Sequence, residues 1–419
     1  MSLRKLLWAL LAVCIVWTPA RAADSVSEAF MQGHFRGELR LYSFDSDFDQ
    51  ENKSNSKDTA LGGLFYYQTD PLKNISVGVA ARTGFDLGNS KSDSSYMLLP
   101  TNDENERFTY GAMQEYWIKG EWADTAIKIG AQQVNTPFLN GHDIRLMPKT
   151  YRGVSVESKY FDNLLLHAMH FTDIMGWADT DFQSLSRFAD RTGTVHEDRG
   201  VSLVGAVWKP LENLQLEAYD YQFWDMYNDM YGRIKYDHPF NDTFTGYVDL
   251  RYLAQNSVGK NLLNKEDSYM LGAGVGIKAY GADLQFVYAN IGEDDLETTG
   301  GSRLMLLQQV ALSKRAEDNV YAGILQYDFG YLGLTGLTGN TSYGYYDSPE
   351  SGPNASFDIK EWDFMLRYKF SEALKGWRAT ARYAIVDGDD STGGAGYDRN
   401  DLRFQLTYKF AFDLNELLD

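Results

Sequence analysis

Cysteine, proline and basic side chains are scarce in this chain of 419 residues. The single cysteine, Cys14, lies in an N-terminal apolar segment, so a chain without that segment has no thiol for a disulfide bond or a metal site. The 39 Lys and Arg residues are outnumbered by 58 Asp and Glu residues. The resulting charge of −19 argues against a nucleic-acid partner, because phosphate binding needs a basic surface.

The chain also lacks an apolar run long enough to cross a membrane as a helix, and its longest unbroken apolar stretch lies at the N-terminus. Arg4 and Lys5 precede the apolar stretch 6–17, and residues 20–22 then have the small-x-small pattern of a signal-peptidase site. The run is shorter than the ~20 residues that a helix needs to cross a bilayer. We therefore predict a signal peptide at 1–22, an exported chain and no transmembrane helix.

Alternating apolar and polar residues fill most of the remaining chain. In the last such block, Phe404 and Tyr408 share an apolar face, whereas Arg403 and Lys409 share a polar one. Most blocks are longer than strands of soluble sheets and match the ~9–11 residues of a tilted strand that crosses a membrane. We predict strands near 33–44, 59–70, 74–86, 110–121, 125–135, 149–159, 163–173, 199–209, 213–222, 228–236, 242–254, 267–279, 281–291, 318–328, 331–343, 358–370, 376–386 and 400–412.

The lengths of the connections alternate along the chain. Tight turns such as 70–73 and 280–281 follow the even-numbered strands, and long polar loops such as 87–109 follow most odd-numbered ones. Short turns on one rim and long loops on the other are typical of an outer-membrane barrel. The pattern predicts an all-β, antiparallel up-and-down transmembrane barrel of about 18 strands, with one domain at 23–419. Residues 292–317 fit either a short loop helix or a misplaced strand.

One stretch of the sequence resembles a known family. Thr136-Pro137 and the segment Arg145-Leu146-Met147-Pro148 through Gly153 resemble the third-loop motifs of the OprD family of substrate-specific outer-membrane porins. The resemblance implies a monomeric barrel whose third loop folds inward to narrow the pore, and passive uptake of small organic acids or amino acids. Two features depart from the family pattern: residues 413–419 follow the terminal aromatic residue, and 292–317 matches poorly. The sequence itself leaves a monomer or a trimer open.

Basic side chains on the polar faces of four strands are the candidate residues for transport. These strands become neighbours when the barrel closes, and a row of guanidinium groups can pass a carboxylate along by bidentate contacts. OprD-type porins use a similar basic ladder. The alternative is that these residues pair with acids such as Glu38 or Asp363 and stiffen the wall. The predicted basic strip consists of Arg36, Arg40, Arg367, Lys369, Arg378, Arg382 and Arg403, with Lys409 on the same face.

The third loop supplies one further candidate. If it folds inward, Arg145 lies near the narrowest point with His142 and Asp143, and would act as a charge filter. The alternative is an ion pair between Asp143 and Arg145 within the loop.

Other chemistries have little support. His167 and His170 point to opposite faces of a strand and cannot bind one metal ion together. Asp45, Asp47 and Asp49 alternate like the start of a calcium loop, but the sequence lacks the turn glycine and the closing glutamate. We predict no catalytic residue and no cofactor, with small solutes and outer-membrane lipid as partners. A barrel hydrolase and a surface adhesion protein are the rival interpretations.

Overall fold

The computed structural model describes residues 23–49, 55–88, 98–102, 106–190, 199–389 and 397–413. Eighteen antiparallel strands form the wall of a barrel. They are β1 His34–Phe48, β2 Ser56–Gln68, β3 Ile75–Asp86, β4 Tyr110–Trp122, β5 Thr125–Gln132, β6 Thr150–Phe161, β7 Leu164–Met175, β8 Val201–Leu211, β9 Leu214–Phe223, β10 Tyr227–Pro239, β11 Thr245–Ser257, β12 Ser268–Ala279, β13 Ala282–Ile291, β14 Asn319–Asp328, β15 Leu337–Asp347, β16 Ile359–Lys369, β17 Trp377–Gly388 and β18 Arg399–Asp413.

The sheet closes because the first strand pairs with the last. The register of β1 with β18 runs from His34 opposite Asp413 to Phe48 opposite Arg399. Closure leaves no strand edge unpaired, which a wall in hydrocarbon requires. The predicted fold and strand number are confirmed, and every predicted strand overlaps an observed one.

The other regular elements are short. They are a two-residue strand, Gln183–Ser184, the α-helices α1 Val26–Met31 and α2 Leu185–Ala189, and the 3-10 helices Phe329–Leu332 and Glu372–Leu374. No helix in the described ranges has the length and apolar content needed to cross a membrane. Neither alternative for 292–317 holds, because this segment is an irregular loop whose only ladder contact is an isolated bridge between Leu307 and Leu312.

The two faces of the wall differ as the alternation predicts. On β16, Trp362, Phe364 and Leu366 point outward and are 43 to 53% exposed on the isolated chain. Glu361 on the opposite face is buried. The outer surface therefore carries the large apolar side chains, and the inner surface carries most charges.

Two loops fill the interior, L3 (133–149) and L7 (292–318). Leu146 and Met147 of L3 pack in an apolar cluster with Tyr42 of β1. At the other end of L3, the ring of Phe138 lies 6.1 Å from that of Tyr221 and 5.3 Å from that of Tyr231. L3 therefore contacts both the β1 side and the β9–β10 side of the barrel.

The entry to L3 depends on one glycine. Gly130 has a φ of +128°, and a Cβ there would lie 2.1 Å from the backbone oxygen of Tyr116. We expect Gly130→Ala to lower the free energy of unfolding by about 1–3 kcal/mol, because alanine strains this conformation. Urea unfolding in lipid vesicles measures the change.

Gly111→Ala is the matched control, because the nearest atom to a Cβ at Gly111 is 3.9 Å away. Equal unfolding midpoints for the two alanine variants would show that Gly130 is not needed for its backbone conformation.

Candidate functional site

The strand register brings the predicted basic strip together. Lys369 lies directly opposite Arg378, and Arg382 lies directly opposite Arg403. Thr407 of β18 is the register partner of both Arg378 and Arg40, so it separates these two side chains. The strip therefore runs across β16, β17, β18 and β1, although its members have different partners.

Arg40 is bound to L3. Its Nη1 and Nη2 atoms lie 2.6 and 2.9 Å from the two carboxylate oxygens of Asp143, and Nη1 also donates to the carbonyl oxygen of Arg145 at 2.6 Å. Glu38 accepts from Nη2 at 2.5 Å. The guanidinium group is buried, so Arg40 fixes the tip of L3 to the wall.

Arg403 holds L7 in a similar way. Its Nε atom lies 2.6 Å from a carboxylate oxygen of Asp401, and Nη2 donates to the carbonyl oxygen of Gln309 at 3.2 Å. Arg40 and Arg403 therefore fit the alternative in which basic residues pair with acids and stiffen the structure.

The remaining basic side chains of β16 and β17 lack such partners. Within the described part of the chain, no hydrogen bond or ion pair joins Arg367, Lys369, Arg378 or Arg382 to a carboxylate. Arg378 and Arg382 are close enough to Arg367 to repel its charge. On β1, the Arg36 guanidinium lies 4.3 Å from the centroid of the Tyr66 ring. These five cations are the available part of the strip.

The carboxylate at the tip of L3 is bound by the wall and not by Arg145, so the ion pair between Asp143 and Arg145 within the loop does not form. The carboxylate of Asp143, a potential partner of Arg145 within the loop, instead receives both terminal nitrogens of Arg40. The Arg145 guanidinium lies 5.5 Å from the centroid of the Trp177 ring. Trp177 Nε1 donates to the carbonyl oxygen of His142 at 2.7 Å, which places an aromatic side chain from the loop after β7 against L3.

His142 is half-buried in this contact. Its ring lies 5.3 Å from the ring of Trp177. Burial, followed by the positive charges of Lys149 and Arg145, lowers the pKa of His142 to about 4. The imidazole is therefore neutral near pH 7.

Carboxylates of β16 hold L7, a role that the sequence did not indicate. Glu361 accepts from the backbone nitrogens of Val310 and Ala311 at 2.8 and 2.6 Å. Asp363 accepts from the backbone nitrogen of Gln309 at 3.1 Å. No local motif marks L7, but inward acids on a mostly basic wall are a signal that could have identified its anchors.

L3 and L7 also contact each other. The backbone nitrogen of Asn140 donates to the carbonyl oxygen of Gly300 at 3.0 Å, and Lys149 Nζ donates to that of Thr299 at 3.0 Å. The two loops therefore form one connected structure inside the barrel.

A second charge network lies on β9, β10 and β11. Arg233 binds both carboxylate oxygens of Asp249 at 2.8 and 2.7 Å, and it also binds Glu217 at 3.0 Å. Arg251 shares Asp249 and donates to the carbonyl oxygen of Leu304 at 2.8 Å. Sequence reasoning missed this network, although its members are inward residues at paired or adjacent register positions.

The sites dismissed from the sequence have ordinary contacts. The buried His167 lies within 3.1 Å of the Tyr219 hydroxyl, whereas the exposed His170 contacts Ser202, so the two histidines face opposite sides. Asp45 pairs with Lys57 at 2.7 Å. Among the described residues, no group of three or more His, Cys, Asp or Glu side chains could hold a metal ion.

Comparisons with known proteins agree with this architecture. The chain is 25% identical to Porin D of Pseudomonas aeruginosa over 228 residues, which cover 53% of this chain and 50% of Porin D. This match therefore spans about half of the curated relative. Among solved structures, OccAB2 of Acinetobacter baumannii is 23% identical, with a TM-score of 0.82 over 92% of this chain and 100% of that one. OpdK of P. aeruginosa, solved with vanillate, is 21% identical, with a TM-score of 0.80 over 91% of this chain and 99% of that one.

The structural matches show the fold, and a family model shows the family. The model for outer membrane porins of the OprD family matches residues 28–412, which include all but the last residue of the barrel wall. The members of this family are outer-membrane porins, and the curated relative is named Porin D. The closed wall, with its apolar exterior and charged interior, is the structure that such a protein needs. The chain therefore belongs to the OprD family of outer-membrane porins.

Proposed function

We propose that this porin passes small carboxylates or amino acids down their gradients through a bore with the basic strip on one wall. The observation that carries the proposal is a set of cations on β16 and β17 that form no hydrogen bond or ion pair with a carboxylate in the described ranges, namely Arg367, Lys369, Arg378 and Arg382. In a narrow channel with reduced hydration, such charges attract anions more strongly than they would in bulk water. A passing carboxylate supplies the partner that the wall does not.

The proposal assigns L3 the role of narrowing the bore. The ion pair between Arg40 and Asp143 supports this role, because it holds the loop tip against the middle of β1. Arg145 packs over the ring of Trp177 at the same tip, and its positive charge would filter incoming solutes.

One structural relative is consistent with the solute class. OpdK of P. aeruginosa was solved with vanillate, which is an aromatic carboxylate. We also propose that residues 1–22, which lie outside the described residues, are the cleaved signal peptide, and that 23–419 forms the single porin domain.

Charge reversal on the strip tests the proposal. We expect Arg378→Glu to lower the permeability ratio of anions to cations by about threefold or more, because a carboxylate would then repel the solute. Reversal potentials in planar bilayers under a KCl gradient give this ratio, and vesicle uptake of benzoate and glutamate gives the transport rate.

Lys360→Glu is the matched control, since Lys360 lies on β16 but on the outer face, 3.8 Å from Asp387. Unchanged selectivity and uptake in Arg378→Glu would contradict the basic strip.

Release of L3 gives a second test. Arg40→Gln removes the guanidinium group that Glu38 and Asp143 share, so the tip of L3 loses its charge-assisted hydrogen bonds to β1. We expect L3 to leave the bore and the single-channel conductance to rise, even though a cation is lost.

Lys409→Gln removes a cation that lies 2.9 Å from the same Glu38 and, among the described residues, forms no ion pair with L3. A lower conductance in both variants would show that Arg40 acts by charge alone.

The low pKa of His142 predicts a dependence on pH. In a released L3, the pKa of His142 would lie near its ordinary value of 6.5, whereas in the packed loop it is about 4. The packed loop is therefore fully stable above about pH 6.5 and loses stability as the pH falls toward 4. We expect current fluctuations to increase between pH 6.5 and 4.

His142→Gln should abolish this increase, and His170→Gln, on the outer face, should retain it. The same pH response in both variants would exclude His142 as its source.

A further inference from the structure

A recess of about 450 Å³ opens at the periplasmic end of the inner wall, between β11 and β16. The turns 280–281 and 329–336 form its rim. Apolar and polar surface contribute about equally to its lining, and Tyr280, Tyr327 and Tyr331 supply part of the apolar share. Asp328, one of two carboxylates in the lining, accepts from the backbone nitrogen of Gly330 at 2.9 Å. The other charged and amide or hydroxyl side chains on the inner wall of the recess are Lys278, Asp283, Gln326, Thr338, Asn340 and Arg367.

The register arranges these groups in two rows across the wall. Gln326 of β14 lies directly opposite Asn340 of β15, and Thr338 of β15 lies directly opposite Arg367 of β16. Directly paired residues have their Cβ atoms about 4.5–5.5 Å apart. Two amides, a hydroxyl and a guanidinium group therefore lie within reach of one small solute.

These rows lead into the upper part of the basic strip. Asn340 is paired with Met365, Met365 with Arg382, and Arg382 with Arg403. A solute that leaves Arg382 toward the periplasm therefore meets Arg367 and the amides next.

Polar groups higher on the same wall are already used. The Ser342 hydroxyl accepts from Gln308 of L7 at 3.3 Å, and the Tyr346 hydroxyl donates to the side-chain oxygen of Gln308 at 3.1 Å. On the far side of the recess, Asp283 accepts from the Tyr247 hydroxyl at 2.6 Å. Ser342, Tyr346 and Asp283 therefore already have hydrogen-bond partners within the protein.

The groups in the centre of the recess are different. Within the described ranges, no side-chain hydrogen bond joins Gln326, Thr338 or Asn340 to another residue. Arg367 forms no hydrogen bond or ion pair with a carboxylate there, and its Nη2 atom makes a long contact of 3.7 Å to the sulfur of Met365. The recess therefore presents donors and acceptors that a solute can use.

The chemistry of the lining selects the ligand. A guanidinium group binds a carboxylate, whereas amides and a threonine hydroxyl both donate and accept, as sugar hydroxyls do. A solute with hydroxyl groups can re-form the hydrogen bonds of the water that it displaces. An aliphatic acid cannot, so it leaves the two amides without hydrogen bonds, which costs free energy.

We propose that this recess is a binding subsite for polyhydroxylated carboxylates of the sugar-acid type. Arg367 binds the carboxylate, and Gln326, Thr338 and Asn340 bind the hydroxyl groups next to it. The inference rests on the proposed function, since it names the solute class that the basic strip serves.

Uptake of matched solutes into proteoliposomes tests the subsite. Glucarate and adipate are dicarboxylates of equal chain length that differ only in the hydroxyl groups of glucarate, and sorbitol is a polyol without a carboxylate. We expect the unsubstituted protein to take up glucarate faster than adipate. Asn340→Leu should lower the glucarate rate by about fivefold and leave adipate nearly unchanged, as the loss of one or two hydrogen bonds implies.

Thr338→Val keeps the volume of the side chain and serves if Asn340→Leu fails to fold. Thr341→Val is its matched control, because Thr341 lies on the same strand but points outward, opposite Leu325 and Phe364. The inference predicts slower glucarate uptake in Thr338→Val alone.

Two results would overturn the subsite, namely equal effects of Thr338→Val and Thr341→Val, or equal losses of glucarate and adipate. Failure of the underlying function is distinguishable. In that case sorbitol enters the unsubstituted protein as fast as both acids, and Arg378→Glu changes none of the three rates.

Discussion

A strand that crosses hydrocarbon must satisfy every backbone hydrogen bond within the protein, because no water is available to it. The pairing of β1 with β18 meets this requirement by removing the last free edges of the sheet. Once the wall is closed, successive side chains of each strand point alternately to the lipid and to the bore. Most charges of these strands must therefore share a confined interior with the loops.

This confinement separates the charged residues into two groups. Arg40, Arg403 and Glu361 bind loop atoms and hold L3 and L7 inside the barrel. Arg367 and Arg378 have the same inward orientation but no carboxylate to neutralise them in the described part of the chain. The first group gives the interior its shape, and the second remains available to solutes. Membership of the polar face alone does not distinguish the groups.

Local sequence patterns predicted the wall well. Alternation marked all eighteen strands, and the alternating lengths of the connections marked the two rims, because both follow from the physics of a single strand and its turn. L7 was not predictable in the same way. Its backbone amides are held by Glu361 and Asp363, which are separated from it by β14 and β15 in the sequence. No helical or strand period marks a loop whose conformation depends on distant carboxylates.

The amino-acid sequence by itself determined the barrel, its strand number, its inward and outward faces and the basic character of one part of its inner wall. It did so because burial in lipid acts on each strand separately through the period of two. Only the tertiary structure decided that Arg40 anchors Asp143 while Arg378 stays available, and that Gln326 lies beside Asn340. These facts depend on register and loop packing, which join residues far apart in the chain and leave no periodic trace in it.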